Sequence, residues 1–66
     1  MHITVNGEAR QVVAGATIAG LLDELKLTGK PVAVEVNREL VPRQRHGEHR
    51  LAEGDLVEIV TLVGGG

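Results

Sequence analysis

At 66 residues the chain has room for one domain and one core, and two-domain readings are excluded. Apolar residues make up 42% of it, an ordinary globular share, while Cys, Ser, Phe, Trp and Tyr are all absent. Their absence removes disulfides, thiol and seryl nucleophiles, thiolate metal ligands and aromatic stacking together. The formal net charge of −2 has the wrong sign for gripping a phosphate backbone, so nucleic acid is not an expected partner. No apolar run nears the ~18 residues of a membrane span, and Met1 leads straight into a strand-like segment, which together point to a cytoplasmic protein.

The first element is a strand over residues 2–6, where Ile3 and Val5 share one face. Asn6-Gly7 then favours a tight primed turn. A second arm over residues 9–13 completes a hairpin and runs out at Ala14-Gly15. Thr17 follows as an N-cap before Ile18, Leu21, Leu22 and Leu25, the i, i+3, i+4, i+7 stripe of one helix face. Gly20 inside that helix costs about 1 kcal/mol relative to alanine, so the leucine stripe must hold it by packing, with a small residue suiting close contact with a sheet. Gly29 and Lys30-Pro31 are expected to stop the helix.

Val32, Val34 and Val36 alternate with Ala33, Glu35 and Asn37 to give a third strand, and residues 39–41 a short fourth one ending at Pro42. Residues 43–50 read as a loop. Within it, His46 and His49 lack a third ligand at fixed spacing, so no metal site is expected. Glu53-Gly54-Asp55 makes a turn, after which residues 56–63 are apolar at six of eight positions, the pattern of a central strand. The order is strand, strand, helix, strand, short strand, loop, strand. It predicts an α+β fold in which a mixed sheet packs on one main helix over residues 1–66.

That last strand runs into Gly64, Gly65 and Gly66, and Gly66 carries the α-carboxylate. Three residues without Cβ atoms form a slender strip of about 10 Å, able to enter a narrow site on another protein. Residues 63–66 are accordingly expected to form a flexible tail. An ionised carboxylate is a poor electrophile, so a partner must activate it before any group can be transferred. The chain then acts as a substrate and a carrier, not as an enzyme. Strand alternation turns Val57 and Ile59 toward the helix and Glu58, Val60 and Leu62 outward beside the tail. With Val63, these form the expected partner-binding surface. Residues 38–50 are locally +2 and the rest of the chain −4, which places Arg43 at one edge of that footprint.

The run Val36-Asn37-Arg38-Glu39-Leu40-Val41-Pro42-Arg43, the later Leu51-Ala52-Glu53-Gly54-Asp55-Leu56-Val57-Glu58-Ile59-Val60 and the closing Gly65-Gly66 resemble the ThiS family of bacterial thiamine-biosynthesis sulfur carriers. The resemblance spans the whole chain, and Gly64 adds a third glycine where relatives often carry another residue. It implies a ubiquitin-like β-grasp fold and no bound cofactor. It also implies that Gly66 is adenylated by an E1-like, ThiF-type adenylyltransferase using ATP. The adenylate would become a thiocarboxylate with sulfur from a cysteine desulfurase relay and donate that sulfur to a ThiG-type thiazole synthase. Two alternatives stay open: a related β-grasp carrier for tRNA thiolation or molybdopterin synthesis, and a β-grasp interaction module with no sulfur role.

Overall fold

A computed structural model describes residues 1–62. Strands β1 (His2–Val5) and β2 (Glu8–Gln11) pair antiparallel as the opening hairpin. Asn6 and Gly7 take φ values of 50° and 85°, the positive pair that a type I′ turn requires. The second arm stops at Gln11 and does not reach Val13. Val12 still exchanges hydrogen bonds with Met1 and is buried, whereas Val13 swings out to solvent before the turn at Gly15.

Helix α1 (Ile18–Glu24) starts where the sequence places it: the Thr17 hydroxyl accepts the Gly20 N–H at 3.1 Å, and Ile18, Leu21 and Leu22 are buried. It ends a turn before Gly29. Lys26 adopts φ 61°, the Leu27 N–H reaches the Leu22 carbonyl at 2.8 Å, and the Lys26 N–H reaches the Asp23 carbonyl at 3.0 Å. Those two bonds make a Schellman motif with lysine in the left-handed position that glycine usually fills. Leu27, packed against the core, offsets that strain, while Gly29 serves only the following turn. Gly20 makes no close approach to the sheet either. A Cβ there would meet only the Thr17 hydroxyl, at 3.5 Å.

Strands β3 (Val32–Val36) and β4 (Glu39–Leu40) form a second hairpin. Its turn residues Asn37 and Arg38 both have positive φ, 53° and 68°, repeating the geometry of the first hairpin. Residues 43–50 are more than the expected loop. They contain a 3₁₀ turn (Arg43–Arg45), and the His46 and His49 carbonyls accept the Ala19 and Ile18 N–H groups at 3.0 and 3.1 Å. The start of α1 leaves these donors without helical partners, so the segment acts as a backbone cap. His46 is buried there, with Nε2 2.9 Å from the Val41 carbonyl.

Strand β5 (Leu56–Thr61) enters the middle of the sheet, giving the order β2-β1-β5-β3-β4. It runs parallel to β1 and antiparallel to β3, so the sheet is mixed and its most apolar strand is central, as the sequence predicts. Ile3, Val5, Val34, Val36, Val57 and Ile59 meet Ile18, Leu21 and Leu22 on the helix side, with Val12, Val41 and Leu51 closing the core. Among the described residues, no helix is long and apolar enough to cross a membrane.

Candidate functional site

The site is built on β5, whose backbone is gripped at both ends by asparagine side chains. At its start, Asn37 Oδ1 accepts the Leu56 N–H at 3.0 Å, and Asn37 Nδ2 donates to Asp55 Oδ1 at 3.0 Å. The other oxygen of buried Asp55 accepts the Ala52 N–H at 2.8 Å, tying the 52–55 turn to the β3–β4 hairpin. Toward its other end, Asn6 Nδ2 donates to the Ile59 carbonyl at 3.1 Å while Asn6 Oδ1 accepts the Ile59 N–H at 2.8 Å. The Asn6 amide thus stands in for one residue of a neighbouring strand. Each asparagine is the first positive-φ residue of its hairpin turn, a conformation that asparagine tolerates better than most residues. One residue type therefore supplies both the turn and the clasp.

Along β5 and just past its end, alternation buries Val57 and Ile59 and exposes Leu56, Glu58, Val60 and Leu62. Of the residues proposed from sequence, Glu58, Val60 and Leu62 do share one face. Leu56 joins them and follows from the same parity. Strand register adds Ala33 opposite Val60, Glu35 opposite Glu58 and Leu40 opposite Glu35; these needed the sheet order, which no local pattern carries. Leu40, Leu56, Val60 and Leu62 are 67%, 47%, 58% and 54% exposed, and the helix covers the other side of the sheet. The result is an open apolar face with two glutamates directly opposed within it. Like charges in that position oppose one another and weaken strand pairing.

Arg43 lies elsewhere, exposed on the 3₁₀ turn beyond β4, two strands removed from β5. Val63, Gly64, Gly65 and Gly66 lie outside the described residues. Among the described residues, no three of His, Cys, Asp or Glu gather where they could hold a metal ion. A groove of about 730 Å³ between the second hairpin and residues 45–50 sets Arg45 and Arg50 against Glu39 and Glu48. With Asp55 also in the lining, carboxylates outnumber guanidinium groups by one, so the groove carries only a small excess of negative charge.

The model of the ThiS family matches residues 3–66. The chain belongs to the ThiS family. It is 32% identical to the sulfur carrier protein ThiS of Escherichia coli over the full length of both chains. It is 41% identical to a thiazole synthase of Paramagnetospirillum magneticum, of which it spans a fifth of the length. Among solved structures it resembles the crystal structure of the thiamine biosynthesis protein ThiS from Geobacter metallireducens, with a TM-score of 0.85 and 33% identity over all of both chains. A five-stranded mixed sheet with one helix, superposing on that relative, is the ubiquitin-like β-grasp fold the sequence predicts.

Proposed function

We propose that this ThiS-family chain is the sulfur carrier that feeds thiazole formation in thiamine biosynthesis, with Gly66 as the point of attachment. The observation that carries the reading is the end-to-end similarity to the Escherichia coli sulfur carrier. In the proposed cycle an E1-like enzyme joins the Gly66 carboxylate to the α-phosphate of ATP, releasing pyrophosphate. A persulfide sulfur supplied by a cysteine desulfurase relay then displaces AMP to give an acyl disulfide. A thiol that attacks the carrier-remote sulfur of that bond forms a new disulfide and releases the thiocarboxylate, whose sulfur passes to thiazole synthase. The carrier itself holds no resident cofactor, catalyses none of these steps and works in the cytoplasm.

Activation is needed because a carboxylate anion repels a second nucleophile, while an acyl adenylate offers AMP as a leaving group. What this chain contributes is positioning. A strand held along its length by β3, and by β1 and Asn6 as far as Ile59, gives the residues after Leu62 an ordered base, and ordered bases reduce the ordering cost of docking. Glu58, Val60 and Leu62 supply a contact face beside it, Gly64 and Gly65 would let Val63 and the terminus follow a narrow channel, and Arg43 would tune the encounter from the rim.

Incubation with the activating enzyme, ATP and a sulfur donor should replace one oxygen of Gly66 by sulfur, seen as the corresponding mass gain on the C-terminal peptide. Removal of Gly66 should abolish the gain. An unmodified terminus under conditions that charge the Escherichia coli relative would refute the proposal.

A further inference from the structure

Strand β5 is hydrogen-bonded along both edges as far as Ile59 and along one edge beyond it. The Leu62 N–H donates to the Pro31 carbonyl at 2.8 Å, so in this antiparallel ladder the even-numbered residues of β5 direct their backbone groups to β3. The odd-numbered ones point to the β1 side, where the Val57 carbonyl accepts the Asn6 N–H at 2.9 Å and Ile59 meets the Asn6 amide. Two residues on, the Thr61 N–H and carbonyl face the same side, but β1 has ended at Val5 and the chain has turned away at Asn6-Gly7. Among the described residues nothing pairs with them. Beside this edge lies a groove of about 380 Å³ with an apolar side made by Val5, Leu25, Leu27 and Ile59 and a polar side to which Glu8 and Arg10 of β2 contribute.

We propose that this half-open edge receives an extended segment of the activating enzyme, which adds as a sixth strand beside Thr61. The inference rests on the carrier function proposed above. One donor and one acceptor on the same strand residue are what a pairing backbone requires, and the groove's mixed walls, Leu25 and Leu27 on one side and Glu8 and Arg10 on the other, suit one side chain of the incoming strand. The edge also lies where the chain leaves the sheet toward residue 63, so strand addition there would align the residues that follow while the terminus is adenylated.

Thr61→Pro tests this cleanly, because it deletes an N–H that the chain itself does not use. Proline is tolerated on a strand edge of this kind, and the preceding Val60 is already extended. We expect Thr61→Pro to unfold at the wild-type midpoint, to bind the activating enzyme roughly 10- to 100-fold more weakly and to be charged correspondingly more slowly. Thr61→Ala, which keeps the N–H, should lose far less. A synthetic chain with an ester in place of the Val60–Thr61 amide removes the same donor without the proline ring, and it decides the matter if the proline variant folds poorly. Thr61→Pro and the ester chain binding as tightly as Thr61→Ala would overturn the strand addition alone. A wild-type dimer in sedimentation that becomes monomeric in Thr61→Pro would give the edge to a second copy and also overturn it. A wild-type chain that is never charged would remove the carrier function, and this inference with it.

Discussion

Replacing Asn6 separates the two tasks its side chain performs. In Asn6→Gly the positive φ of 50° remains accessible, but both bonds to the Ile59 backbone, at 3.1 and 2.8 Å, are lost. Each is worth about 1 kcal/mol net, and water can reach these partly buried groups, so the clasp contributes about 2 kcal/mol. Asn6→Ala loses the same bonds and also forces a β-carbon into the left-handed region, adding about 1 kcal/mol. A 66-residue domain has about 3–10 kcal/mol of stability in all, so either change is a large fraction of it. With no Trp, Tyr or Phe to report by fluorescence, urea unfolding must be followed by far-ultraviolet circular dichroism. At a slope of about 1 kcal/mol per molar urea, the midpoint should fall by about 2 M for glycine and about 3 M for alanine. Exchange of the Ile59 amide should speed up by about 30-fold in Asn6→Gly. A glycine variant with the wild-type midpoint would refute the clasp, and equal midpoints for glycine and alanine would refute the strain argument.

Gly20→Ala should raise stability by about 0.5–1 kcal/mol, or about 4 °C in melting temperature, because the added methyl enters an exposed helix position and meets only the Thr17 hydroxyl at ordinary contact distance; a thermal melt showing a decrease would contradict the capping geometry described here. Val60→Asp sits on the open face opposite Ala33, so we expect a change in unfolding free energy of less than about 1 kcal/mol. The same substitution should slow charging by the activating enzyme at least about tenfold, if this face is where that enzyme docks. Unchanged charging would clear the face of that role.

Local chemistry made much of this fold readable. Asn6-Gly7, the Thr17 cap, the Ile18-Leu21-Leu22 stripe and the apolar run after Asp55 each carry their meaning within a few residues, and each element forms where they put it. The errors arose where distant groups decide. Lys26 ends α1 because Leu27 gains a place in the core, which outweighs the preference of the left-handed position for glycine. Residues 43–50 looked like a loop because their service to α1 is done by carbonyls, which every residue has. The Asn6–Ile59 clasp joins positions 53 apart in the chain, so nothing near either residue announces it. On the open face, parity gives Glu58, Val60 and Leu62, while the placement of Glu35 beside Glu58, and of Leu40 beside Glu35, follows only from β3 lying between β5 and β4. Arg43, which the charge balance alone names, stands exposed after β4 at the far edge of the sheet, a placement that a charge count does not contain.

The parallel pairing of the first and last described strands also governs how the molecule bears mechanical load. A pull applied between Met1 and Leu62 drives β1 and β5 past one another lengthwise, so the Thr4–Asp55, Asn6–Val57 and Asn6–Ile59 bonds are strained together and cannot part singly like a zip. Forced unfolding is set by the unfolding barrier, and this shearing arrangement raises that barrier along the axis on which a machine tugging at the end of the chain would act.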